Sequence, residues 1–407
     1  MTAISCGVSK SVHTGDFKSL YRTDEVNFEP LFKLHHLGQN NYKLFFQFSS
    51  DELLYMQDLD SDDRFADLEV SASLFTGYGL GSKLDSVKTS VRDKRIGTRK
   101  RFIAGTLNIP FKMRHQNTLQ CTSLDVNRTK KNVQYLAIDS TISAPENYMV
   151  RRVIDGLPIL TEYLSVDTRL ELSSSYFRSN ELDVSYYNTK LDLPPPPFSL
   201  KRPKKFDLEP NEKAKVSKNN KGRYEVEMKG YDIARVKDHV HGGDHSLLSF
   251  YNGFPKISTY DQMIEAIRYI TTKEEYSKLI SSEDKKAALD EFWLERSGST
   301  QRAKKIIRTY YSRAEAANRY FSAHTEGWKT DRGLIFVIFG RPISISKSMD
   351  SEIWYYGEEG KFRSLNFRFV RTQNPFSSND FRLMRREDYK PVWYYFVDAW
   401  RGGRILN

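Results

Sequence analysis

The chain holds 407 residues, 39% hydrophobic and 13% aromatic, with 63 Lys and Arg against 52 Asp and Glu for a net charge of +11. That length predicts two or three domains, and the aromatic content excludes global disorder. No apolar run is long enough for a membrane-spanning helix, and two cysteines, Cys6 and Cys121, are too few for a disulfide framework.

Residues 1–27 open with Ala3-Ile4-Ser5-Cys6-Gly7, small and apolar residues leading to a cysteine and then glycine. This resembles the end of a bacterial lipobox, in which the cysteine is lipidated and becomes the first residue of the mature protein. Only five residues precede Cys6, so the reading expects a basic start and an apolar segment encoded upstream of Met1. The polar stretch behind it suits a tether.

From residue 28 to 140 the signal is β. "YKLFFQF", "ADLEVSASLF", "RFIAGTLNIPF", "TLQCTSLDV" and "VQYLAID" alternate apolar and polar residues between turn formers, which predicts an antiparallel sandwich with Cys121 buried in a strand. "RDKRIGTRKR", residues 92–101, carries six basic residues in ten without interleaved aromatics. It reads as a solvated hairpin, with anionic headgroups as its functional alternative, and not as a nucleic-acid site.

A second series over 141–252, "NYMVRRVI", "LPILTEYL", "RLELSSSY", "ELDVSYYN" and "RYEVEMKGYDIARV", predicts a second sandwich. It is interrupted by "LPPPPFSLKRPKK" (193–205), read as a stiff crossover, and by a Lys-rich stretch to residue 222, read as a solvated loop.

Helices are predicted only in 253–407. In "STYDQMIEAIRYI" Tyr260, Met263, Ile264 and Ile267 share a face, with Ser258 or Thr259 as the cap. "SEDKKAALDEFWLER" is a second helix. The stretch 299–323 is the longest, with a stripe of Ala303, Ile306, Ile307, Tyr310, Ala314, Ala317 and Phe321 opposite Arg and Lys. Beyond it "GLIFVIFG", "SEIWYYGEEGKF" and "SLNFRFVR" read as strands, the first apolar on both faces and therefore central. The fold class is thus mixed and multidomain: two antiparallel β-sandwiches, then an α+β domain of helices followed by an antiparallel sheet. All five tryptophans lie in 301–407 or just before it, and that stretch carries 20 Lys and Arg against 11 Asp and Glu, which suits an interaction surface or, more plainly, a large core with a solvated basic face.

No phosphate-binding loop, dinucleotide fingerprint, nucleophile elbow or HExxH motif is present. The candidate metal ligands are His239, His241, Asp244 and His245, beside Asp238 in "DHVHGGDHS", where two glycines let the loop wrap a divalent ion. The plainer reading is a polar turn between strands.

The segment Gly327-Trp328-Lys329-Thr330-Asp331-Arg332-Gly333, the apolar run after it, Gly340-Arg341-Pro342, and Glu352-x-Trp354 resemble the GWxTD-motif domain family of bacterial envelope proteins. The resemblance covers about residues 255–400. It implies an acid after Gly-x-Pro, where this chain has Ile343. Read physically, Gly327 permits a backbone reversal, Trp328 plugs the junction, and Thr330 and Asp331 bond nearby amides in a turn. Asp331 or Glu352 is placed to pair with Arg332 or Arg341. The expectation is architecture without catalysis: a non-enzymatic lipoprotein at the periplasmic face of the outer membrane, partnered by other envelope proteins in an assembly or secretion complex. No cofactor is expected beyond the candidate metal. The alternatives are a metal-dependent hydrolase and a glycan- or cell-wall-binding protein.

Overall fold

The computed structural model describes residues 28–38, 41–77, 80–112, 117–138, 144–164, 169–188, 192–201, 208–348, 350–357 and 365–406. Cys6 and its tether, and residues 202–207 of the Lys-rich stretch, lie outside the described residues.

Eight strands form the first unit: β1 (Leu31–Gly38), β2 (Asn41–Ser49), β3 (Met56–Gln57), β4 (Arg64–Phe75), β5 (Lys83–Lys94), β6 (Phe102–Ile109), β7 (Thr118–Asp125) and β8 (Lys130–Ala137). They make two antiparallel sheets, one of β1, β2 and β6 and one in which β4 pairs with β3, β5 and β7, with β8 beyond β7. The alternation predicts the core directly: Leu44 and Phe46 of one sheet meet Leu68, Val70, Leu119 and Cys121 of the other. The basic segment 92–101 is largely exposed, and part of its charge is answered locally, Lys94 by Asp63 at 2.6 Å and Lys100 by Asp51 at 3.5 Å.

The second unit comprises β9 (Tyr148–Arg152), β10 (Tyr163–Leu164), β11 (Arg169–Ser174), β12 (Glu181–Tyr187), β13 (Glu212–Ser217), β14 (Tyr224–Glu227), β15 (Ile233–Lys237) and β16 (Asp244–Ser249). A five-stranded sheet in the order β10-β16-β15-β12-β13 covers a three-stranded sheet, β14-β11-β9. The Lys-rich stretch is not all loop, because β13 pairs with β12 and turns Ala214 and Val216 toward the core while Lys213 and Lys215 face water. Lysine at every second position conceals the alternation.

Six helices and four strands make the third unit: α1 (Tyr260–Ala266), α2 (Lys273–Ser281), α3 (Lys285–Ser297), α4 (Thr300–Phe321), α5 (Asp331–Phe339), β17 (Ser344–Lys347), β18 (Ser351–Tyr356), β19 (Leu365–Arg371), β20 (Phe381–Leu383) and α6 (Lys390–Arg401). Thr259 and Thr272 close capping boxes on α1 and α2. The segment "LIFVIF" is a helix, not the strand its composition predicts. Every residue of α5 is buried, because α4, α6 and the antiparallel sheet β17-β18-β19-β20 surround it. A helix covered on all sides needs no amphipathic period, so its sequence matches that of a buried strand.

The units are tied together. Tyr187, Ile233 and Leu248 of the second pack on Phe376 of the third. The proline run straps the third unit: the Pro197 carbonyl accepts from the Arg386 amide at 3.2 Å, and Phe198 packs on Tyr394 with ring centroids 5.6 Å apart.

Candidate functional site

The 327–333 segment is a junction between two helices. After α4 the chain makes a single 3-10 turn, Gly327–Lys329, and enters α5. Thr330 is the N-cap: its Oγ accepts from the Gly333 amide at 3.1 Å and donates to the Gly327 carbonyl at 2.8 Å. Neither Gly327 nor Gly333 has a positive φ, so the expected backbone reversal is not what requires them. Close approach is. A Cβ on Gly327 would lie 1.9 Å from the Ala317 carbonyl oxygen, and one on Gly333 would lie 1.9 Å from the Gly327 carbonyl oxygen. Gly340 does need its glycine conformation, with φ of 80°, and the guanidinium of Arg313 occupies the space beside it.

Trp328 is 3% exposed and meets Tyr269 edge to face, with centroids 5.9 Å apart. The Tyr269 hydroxyl donates to the Trp328 carbonyl at 3.0 Å. The plug expected from the sequence is present, set between helices.

Asp331 does not organise a local turn. Both its carboxylate oxygens accept from the Arg385 guanidinium, one at 2.9 Å, and Oδ2 also accepts from the Leu383 amide at 2.8 Å. Arg385 in turn donates to the Pro195 carbonyl at 3.1 Å, which carries the contact out to the proline strap. Arg332 pairs with Glu352 at 3.1 Å, donates to the Asn379 carbonyl at 2.7 Å, and lies 4.3 Å from the centre of the Phe381 ring.

Glu352 is fully buried and is the hub of the second ion pair. It also takes Lys347 at 3.1 Å and the Trp354 indole N–H at 3.0 Å. Burial alone would raise its pKa, but Lys347 and Arg332 outweigh that and hold the carboxyl at about 2. At the far end of α5, Arg313 donates to the Ile338 carbonyl at 3.3 Å, the Trp400 indole to the same oxygen at 3.0 Å, and Tyr356 to the Gly340 carbonyl at 2.8 Å. A cation at a helix C-terminus complements its dipole. Arg313, Arg385 and Asn379 were not predicted from the sequence. Arg385 and Asn379 are more than forty residues from their partners, and no local spacing announces them. Pro342 is buried behind Gly340, whereas Ile343 is 52% exposed.

Residues 233–402 match the family model of the GWxTD domain. This segment is a GWxTD domain. The match starts within the second unit, so β15 and β16, which contact the C-terminal unit through Ile233 and Leu248, fall inside it. No curated protein matches the chain.

The candidate metal ligands also lie within the GWxTD match, and they do not converge. Asp244 and His245 sit on β16, while His239 and His241 lie in the turn before it. Asp244 accepts from Arg235 at 2.9 Å, and His245 stacks on Tyr148 with centroids 4.5 Å apart. His239 lies 3.3 Å from Asp183, and His241 3.2 Å from Asp238. Asp238 itself is a turn anchor, accepting from the amides of Arg178 at 2.9 Å and His241 at 3.0 Å. Among the described residues no group of three His, Cys, Asp or Glu side chains is placed to hold an ion.

Beside the domain, a crevice of about 490 Å³ opens where all three units meet. Its walls come from β1 and β8, from residues 160–163, and from the Arg332, Lys347 and Arg371 side of the GWxTD domain.

Proposed function

We propose that this protein is a non-enzymatic envelope lipoprotein, anchored through Cys6 at the periplasmic face of the outer membrane. There it serves as a scaffold subunit of a protein assembly or secretion complex. The observation that carries this reading is the internal use of the GWxTD motif. Thr330 caps a helix, Asp331 is held by Arg385, and Arg332 is held by Glu352, each inside the core. The most distinctive residues of the chain therefore serve the fold, and no nucleophile stands beside a base among them.

The outer face of α4 supports a surface role. Arg302, Lys304, Lys305 and Arg308 are exposed there, while Ala303, Ile306 and Tyr310 face the core. A rigid support that presents a basic face suits recognition of acidic protein or lipid surfaces.

The test is in-cell cross-linking of the full-length protein, followed by detergent extraction of the envelope and mass spectrometry of both the partners and the native N-terminus. The expected result is a lipidated Cys6 and reproducible recovery of the same outer-membrane proteins. An unmodified Met1, or an extracted protein that cross-links to nothing, overturns the reading.

A further inference from the structure

The three-unit crevice contains five cations, and three of them are answered. Arg319 pairs with Glu29, while Arg332 and Lys347 share Glu352. Lys33 and Arg371 have no counter-ion among the described residues. Lys33 is 9% exposed, on the outer face of β1, and makes no hydrogen bond or ion pair with any described residue. Glu162 and Glu146 also line the crevice and act on it only at longer range. Arg371, at the end of β19, is half-buried; its Nε is buried with no acceptor among the described residues, and its guanidinium lies 5.5 Å from the centroid of the Phe381 ring.

A buried cation without a counter-ion is costly, and Lys33 borders the same opening as the half-buried Arg371. Burial holds the Lys33 amine below the usual lysine range, and an anion in contact with it would reverse that shift. The walls are mixed: Asn132, Gln134 and Asn379 contribute polar surface, and Leu31, Tyr163, Phe250 and Phe381 contribute the apolar part. Arginine presents a planar fork that matches a carboxylate, and a cavity of this size accommodates a small molecule.

We propose that the crevice is a binding site for a small organic carboxylate, its charged head met by Lys33 and Arg371 and its apolar body lying between the three units. Such a ligand would touch all three units at once. This goes beyond the scaffold reading and does not depend on it.

The test uses the full-length protein and hexanoate as the probe, titrated at constant ionic strength, with inorganic phosphate as the second arm. Hexanoate is expected to bind saturably and to raise the melting temperature. Lys33→Met and Arg371→Met should each weaken that binding at least tenfold. In the wild-type chain, hexanoate should also slow reductive methylation of Lys33, read by mass spectrometry, which needs no variant to fold. Absence of saturable binding, binding unchanged in both variants, or phosphate binding as tightly as hexanoate would each overturn the proposal. If Lys33 is merely an unpaired buried charge, Lys33→Met raises the melting temperature and leaves the hexanoate response intact.

Discussion

Gly333 packs so closely on Gly327 that a methyl group added to Gly333 would lie 1.9 Å from the Gly327 carbonyl oxygen, and one added to Gly327 would lie 1.9 Å from the Ala317 carbonyl oxygen. The obstacle is main chain in both cases, which cannot swing aside as a side chain would.

Gly333→Ala is therefore expected to destabilise the protein by about 3 kcal/mol, at the upper end of overpacking effects. Gly38→Ala serves as a control for crowding, since a Cβ there meets nothing within 4 Å, although its φ of 100° strains the backbone. Calorimetric unfolding of the two variants separates steric exclusion from conformational strain. An unperturbed Gly333→Ala would mean that the junction is looser than described.

Asp331→Asn should cost about 3–5 kcal/mol, the usual penalty for removing one partner of a buried ion pair. Arg385 and Asp331 are only 9% and 8% exposed at their side chains, so solvent cannot compensate. The double variant Asp331→Asn with Arg385→Met should recover part of the loss, because the orphaned charge is gone. Denaturant titration of the single and double variants measures this. A stable but inactive Asp331→Asn would instead give the carboxylate a direct role in binding or chemistry.

Acid should loosen the seam between the first two units. Lys33, His35 and His36 on β1 face Glu146, Asn147, Tyr148, Arg151, Glu162 and His245 of the second unit, and His35 Nδ1 donates to the Glu146 carbonyl at 3.0 Å. Burial pushes His35 down to about 4 and, with Lys33 adding to it, His245 down to about 3. Both imidazoles are thus neutral in the folded state at pH values where the unfolded chain has taken up protons. Stability should fall as pH drops below about 6.5, by about 2 kcal/mol from His35 at about pH 5. His245→Phe keeps the stack on Tyr148 and should flatten the profile. A melting temperature constant from pH 7 to 5 would contradict this.

The basic face of α4 should give partner or lipid binding a salt-sensitive component, since exposed charges are screened within about 10 Å at 0.1 M salt. Reversing Lys304 and Lys305 to Glu should weaken binding at low salt and matter little at high salt. Co-sedimentation with anionic vesicles, or partner capture, across a salt series reads this out. Binding indifferent to salt would move the interface away from that face.

Much of this architecture could be read from periodicity. The stripe from Ala303 to Phe321 lies on α4 as expected, and the inward residues of both sandwiches follow from alternation. What escaped did so for identifiable reasons. Apolar content hid the helix in "LIFVIF", although Thr330 followed by an acid, with Gly340 at the end, is a start and stop signal that could have found it. Helix α6 carried Pro391 in its first turn and Trp393, Val397 and Trp400 at helical spacing. The Arg332–Glu352 pair was among those anticipated, whereas the partner of Asp331 was not, because Arg385 approaches from a different element. The histidine cluster was dense in sequence but is dispersed in space, since β16 sends neighbouring side chains to opposite faces.

All five tryptophans belong to the core of the GWxTD unit, and the two sandwiches have none. Indole emission is therefore a native reporter of one third of the molecule, blind to the rest, while far-ultraviolet dichroism sees every strand and helix. Transitions that coincide by both probes would show that the proline strap and the shared seams couple the three cores into one cooperative unit. Transitions that separate would give the order in which the cores come apart, with no label added to the chain.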